Sequence, residues 1–223
     1  MAKKRPFAEA DWLESADSDR LLLFVAKQYS RRKGLLLACA FCRQVWNLFT
    51  DERSRRAVEL SELVADGLVQ STAWRQATLA CFAAATEATN RREITKAAAA
   101  SAGLALGGTK GDPRSVASLV LSAAKHEFNA AAFAALGQAL ADLTRDVLGN
   151  PFRSVTIERA WRSADVVGLA QSIYESRAFE RLPILADALE DAGCDNADIL
   201  NHCRQPGEHV RGCWVVDLIL QKK

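Results

Sequence analysis

The stretch Ser163-Ala164-Asp165-Val166-Val167-Gly168-Leu169-Ala170-Gln171-Ser172-Ile173-Tyr174, followed by Leu182-Pro183-Ile184-Leu185-Ala186-Asp187-Ala188-Leu189, decides the fold class. Val166, Ala170, Ile173 and Tyr174 recur at three- and four-residue steps, and so do Leu182, Leu185, Ala186 and Leu189. That spacing puts each set on one face of a helix, whereas a strand needs a two-residue period. Ser163 supplies a side-chain oxygen for the free amides of a first turn, Pro183 suits a first turn because its missing N–H costs nothing there, and Gly193 marks a stop. Two helices in quick succession, each with one apolar face, must pack on each other or on neighbours.

The same period runs through the rest of the chain. Leu35, Ala38, Cys39, Cys42, Val45, Trp46 and Phe49 form a stripe after Ser30, and Ala57, Leu60, Leu63 and Val64 form another between Thr50-Asp51 and Gly67. Asp17 or Ser18 caps a helix expected to reach Tyr29. From Ser71 the chain is alanine-rich, with Trp74, Thr78, Cys81 and Phe82 as an early apolar patch. Alanine favours helix but buries little area. Gly103 to Pro113 reads as a linker. Pro113 to about Leu148 reads as one helix whose seam, Phe133, Leu136, Leu140, Leu143 and Val147, is expected to meet a partner or a second copy of the chain. Asp195 with Asp198 resembles a capping arrangement, and a last helix is expected from about His209 to Leu220. Only Val155-Thr156-Ile157 hints at a strand. The expectation is an all-α, multi-helix orthogonal or bundle-like domain with a long Ala-rich central segment. Residues 1–149 form its N-terminal and central region, and 150–223 a C-terminal module packed on it as one continuous globular unit.

Composition narrows the function classes. Of 223 residues, 49% are hydrophobic and 25% charged, as in ordinary globular proteins. Residues 1–150 carry 20 Lys and Arg against 16 Asp and Glu, and 151–223 carry 9 against 11, too even a balance for a strong nucleic-acid binder. Arg31-Arg32-Lys33, Arg53/Arg55/Arg56 and Arg91-Arg92 are the clusters that a nucleic-acid accessory role would use. No apolar run approaches the ~18 residues needed to span a bilayer, so no membrane partner is expected. The six cysteines, with no export signal ahead of them, read as reduced thiols in a cytoplasmic protein.

Several words of the sequence resemble a family of uncharacterised bacterial proteins with the C-terminal motifs GNPFRPV, RLPILADALEDAGC and HVRGCW. Here they read Gly149-Asn-Pro-Phe-Arg153, Arg181-Leu-Pro-Ile-Leu-Ala-Asp-Ala-Leu-Glu-Asp-Ala-Gly-Cys194 and His209-Val-Arg-Gly-Cys-Trp214. Trp12-Leu13, the Cys39 to Trp46 helix and Asp51-Glu-Arg-Ser-Arg55 look like the family too. Its middle is commonly rich in Ala, Arg, Asp and Trp, where Ala, Thr and Leu dominate here. The resemblance implies no activity.

The chemistry-bearing residues gather near the C-terminus. Cys194, His202, His209 and Cys213 offer four soft or borderline ligands within twenty residues, with His209 and Cys213 one helical turn apart if both lie on the last helix. Zinc is the cofactor such ligands would take, although the spacing matches no standard zinc module. Cys203 could replace one member, and Cys203 or Cys213 beside His202 or His209 could form a nucleophile pair, though no oxyanion-hole signature accompanies them. Cys213 also fits a core position, and Cys194 after Gly193 fits a helix C-cap. Asp217 falls on an inward face and calls for an arginine such as Arg177, Arg181 or Arg211. Cys39-Ala40-Phe41-Cys42 has redox spacing but lies on a helix stripe, and Gly103 to Lys110 lacks the phosphate-loop signature. The reading that needs no diagnostic motif is a non-catalytic protein-interaction or regulatory module, acting through a protein partner or self-association. A metal-binding or Cys/His-dependent enzyme is the alternative, and a nucleic-acid accessory protein the second.

Overall fold

A computed structural model of the chain describes residues 5–26, 28–93, 95, 96, 99, 101–103, 106 and 112–223. The described residues are all-α, with no strand among them. Val155-Thr156-Ile157 is irregular. The chain divides into two compact units, Met1–Thr144 and Arg145–Lys223.

The first unit is built on α3, Arg31–Gln44, capped by Ser30, whose hydroxyl accepts the Lys33 amide. Every residue from Gly34 to Cys42 is buried, so α3 forms the unit's centre. It packs against α4 (Glu52–Ala65) and α6 (Pro113–Ala124). The short helices α1 (Glu9–Glu14) and α2 (Ser18–Phe24) precede it, and α2 also contacts α6. Glu62 of α4 is buried and accepts two hydrogen bonds from Arg43, at 2.6 and 2.8 Å. The alanine-rich α5, Ser71–Asn90, lies along α4, where Trp74 Nε1 donates to Ser61 Oγ at 2.8 Å. Phe82, expected in the apolar patch with Trp74 and Cys81, is instead exposed, together with Leu79 one turn before it. Most of the 103–113 linker, much of the 97–100 alanine run and the Met1–Lys4 tail lie outside the described residues.

The single helix expected from Pro113 to Leu148 is two. Asp112 caps α6, which ends at Ala124, and α7 covers Ala130–Leu148. Asn129 accounts for the break, since its side-chain oxygen accepts the Ala132 amide at 2.9 Å and starts a new first turn. Leu136, Leu140, Leu143 and Val147 are buried and Phe133 is half-buried within the chain's own fold. The seam is therefore a core face, not the free surface that an intermolecular contact requires. Arginines of the basic clusters are paired as well: Arg32 with Asp66, Arg53 with Asp51 and Glu87, Arg55 with Glu52 and Arg56 with Glu59.

The second unit holds α8 (Ala164–Ser176), α9 (Leu182–Asp191), α10 (Ala197–Arg204) and α11 (Trp214–Leu220). Helix α8 packs on α9 and α11, and α9 on α10, around Val166, Ile173, Leu182, Leu185, Val216 and Ile219. Ser163 caps α8 as its sequence predicts. The cap of α10 is Asn196, whose side chain accepts the Ile199 amide at 3.1 Å, in place of the expected Asp195. Asp198 pairs with Arg153 at 2.6 Å instead. No helix among the described residues is long and apolar enough to cross a membrane.

Candidate metal centre

The site begins with a carboxylate in a costly place. Asp146 lies in the last turn of α7 and is buried, where both desolvation and the negative end of the helix oppose its charge. Three donors offset this. His209 Nδ1 lies 2.6 Å from Oδ1, His202 Nε2 lies 3.1 Å from the same oxygen, and the Val210 amide donates to Oδ2 at 3.0 Å. His202 comes from the end of α10, and the chain then turns through Pro206-Gly207 to bring His209 back beside it. The two imidazoles meet edge to face, their centroids 4.8 Å apart. Cys213, fully buried, starts α11 and brings its Sγ to 3.2 Å from His202 Nε2.

The last helix starts at Trp214, not His209. His209 and Cys213 therefore meet through a loop, and the one-turn helical spacing is not what joins them. Gly207 and Gly212 have φ of +146° and +95°, which breaks helical continuity, while the Val210 amide ties the loop to Asp146. Gly149, at φ +70°, lies against Trp214: a Cβ there would sit 3.3 Å from the indole Cγ. That indole covers His202 at 5.0 Å between ring centroids.

One donor atom from each of Asp146, His202, His209 and Cys213 lies within 4.8 Å of all the others. Three of the four residues singled out by sequence thus converge, and Cys194 does not join them. It stands just past the end of α9, where its amide donates to the Leu189 carbonyl at 2.9 Å and that of Gly193 to Glu190 at 2.8 Å. Those two bonds, with Gly193 at φ +87°, make a Schellman cap, whose following residue is apolar and buried. Cys203 is buried beside His202, and its thiol is pushed up to about 12 by burial and then by the Asp146 charge.

Asp146 is the member of the cluster that sequence reading missed. A signal was present: it follows Leu143 by three residues and precedes Val147, so it sits on an apolar stripe. Asp217 obeys the same logic. It is buried in the first turn of α11 and is not one of the clustered four.

Electrostatics act in opposite directions on the two acidic members of the cluster. Burial raises the Asp146 pKa, but the hydrogen bonds and charges of His202 and His209 outweigh it and bring the carboxyl down to about 2. The Cys213 thiol goes the other way, driven well above its ordinary 9.0 by burial and by Asp146, against a smaller pull from the Val216 and Val215 amides. A thiol so disfavoured as thiolate, and shut off from solvent, is poorly placed to act as a nucleophile. The hydrogen-bond geometry agrees, because a Cys-His-Asp triad needs thiol and carboxylate on opposite ring nitrogens. Here both face Nε2 of His202. The Cys39/Cys42 pair is equally buried within α3, with Cys39 donating to the Val58 carbonyl.

Searches of family models, curated proteins and solved structures find no match to the chain.

Proposed function

We propose that this chain is a non-catalytic helical module whose C-terminal unit is held together by one divalent transition-metal ion of the zinc class. The observation that carries the reading is the convergence of Asp146, His202, His209 and Cys213 from separate segments on one buried point. A carboxylate, two imidazoles and one thiolate form a borderline donor set suited to Zn²⁺. The short contacts at 2.6 to 3.2 Å between these donors need protons between them, and a cation at their centre would take the place of those protons. The charges balance, since a dication neutralises one carboxylate and one thiolate, as a buried site requires. Its positive charge also reverses the cost of ionising Cys213.

Four protein ligands leave no open position for substrate, which is the arrangement of structural rather than catalytic zinc. The ion would join the end of α7, the end of α10, the 205–213 loop and the start of α11, closing the unit from its first residues to its last helix.

The test is metal content and cobalt spectroscopy on untagged full-length protein. We expect one zinc per chain. Cobalt should give the intense visible bands of a four-coordinate ion with a sulfur-to-cobalt charge-transfer band. Cys213→Ser should abolish that band and Cys194→Ser should keep it. Folded protein that takes up neither metal, or a charge-transfer band that follows Cys194, overturns the reading.

A further inference from the structure

His202 can ligate through Nε2 only if that nitrogen carries no proton, so its neutral ring must hold its proton on Nδ1. What faces Nδ1 then decides whether the ring is ready. The facing group is Gln205, whose Nε2 lies 3.2 Å from Nδ1. In that arrangement the amide donates, Nδ1 accepts, and Nε2 keeps its proton for Asp146 at 3.1 Å. This is the metal-free tautomer. A half-turn of the amide exchanges its nitrogen and oxygen at nearly the same positions, after which Oε1 accepts from Nδ1–H and Nε2 is free.

We propose that Gln205 is the outer-shell positioning residue of the centre, turning its amide on metal binding so that its oxygen holds His202 in the ligating tautomer. The inference rests on the metal reading above. Gln205 reaches the ring because its backbone is fixed: its amide donates to the Asn201 carbonyl at 2.8 Å, and Pro206 confines it to the extended conformation it adopts, φ −64° and ψ 142°. Asp146 and Cys213 both face Nε2, so among the hydrogen bonds made by this ring Gln205 is the contact on Nδ1. Outer-shell partners of metal-bound histidines set ring orientation and tautomer in this way.

The experiment compares wild type, Gln205→Leu and Gln205→Glu as full-length proteins, measuring zinc affinity by chelator competition and the His202 tautomer by ¹⁵N NMR. Gln205→Leu should bind zinc about 10- to 100-fold more weakly. Gln205→Glu, an acceptor that needs no turn, should bind as tightly as wild type or tighter. Thermal stability in EDTA should be alike for all three, which separates tautomer control from a general structural defect. In wild type the His202 proton should sit on Nε2 without metal and on Nδ1 with zinc; in Gln205→Glu it should sit on Nδ1 in both. Undiminished affinity in Gln205→Leu, equal losses in both variants, or an unchanged tautomer on loading overturns the role of Gln205 while leaving the centre intact. A wild-type chain that takes up no zinc overturns the centre, and this inference with it.

Discussion

Replacing Asp146 by asparagine should remove a defined share of the C-terminal unit's stability, and pH should show where that share comes from. The folded carboxyl titrates at about 2 against an ordinary 3.8, because His202 and His209 outweigh its burial. At ~1.36 kcal/mol per pH unit, that difference is worth about 2 kcal/mol to the ionised folded form. The folded pKa is the lower one, so the unfolded chain takes up the proton first as acid is added. The contribution is therefore complete above 3.8 and disappears as pH falls through about 2. The Asp146→Asn side chain has no proton to gain and offers the two imidazoles a neutral amide. That variant should lack the contribution at pH 7 and show no titration of its own in the acid window. The assay is amide hydrogen exchange across α8 to α11 in EDTA, so that metal linkage adds nothing. About 2 kcal/mol corresponds to roughly thirty-fold in protection. Wild-type protection at pH 7 in Asp146→Asn would refute the reasoning, as would parallel acid losses in the two proteins.

Four further substitutions test the frame of the C-terminal unit. Gly149→Ala should cost about 1–2 kcal/mol for a left-handed backbone carrying a side chain, with an added clash from the Cβ 3.3 Å from Trp214. Thermal melts should show that penalty shrink when Trp214→Ala is combined with it. Asn196→Ala should lower stability to urea by about 1 kcal/mol, as loss of a helix cap does. Asp198→Ala, which removes only an exposed pair with Arg153, should change it by about 0–1 kcal/mol.

What was legible in the sequence was local, and what was hidden was long-range. Ser30, Ser163 and Pro113 announce helix starts because a cap is settled within one turn, and the period of Val166 to Tyr174 announces a buried face for the same reason. The Asn129 break does leave a trace in the period, since on one continuous helix Val116, Val120 and Ala124 would fall nearly opposite Leu136, Leu140 and Leu143, and the Asn129 side chain, accepting the Ala132 amide, starts the new helix. Asn196 was masked by two neighbouring aspartates that can cap equally well. His202, His209 and Cys213 could be grouped from proximity in sequence, but one turn of helix is not what joins His209 to Cys213.

Asp146 shows why the fourth member of the cluster was the hardest to find. A search for ligands by residue type near one another stops at the Gly149-Asn150-Pro151 break, and Asp146 lies just beyond it on a helix that otherwise reads as core. The better criterion is energetic. A carboxylate on an apolar stripe, three residues after Leu143 and near a helix C-terminus, is penalised by burial and by the helix dipole together, so it can persist only where cationic or proton-donating partners compensate. Asp217, buried in α11, meets the first half of that criterion but lies in a first turn, where the dipole favours an acid. The difference in helix end separates an acid that its own helix can tolerate from one that needs donors from elsewhere in the chain. Asp146 is the second kind, and two histidines reached from α10 and the following loop are what it obtains.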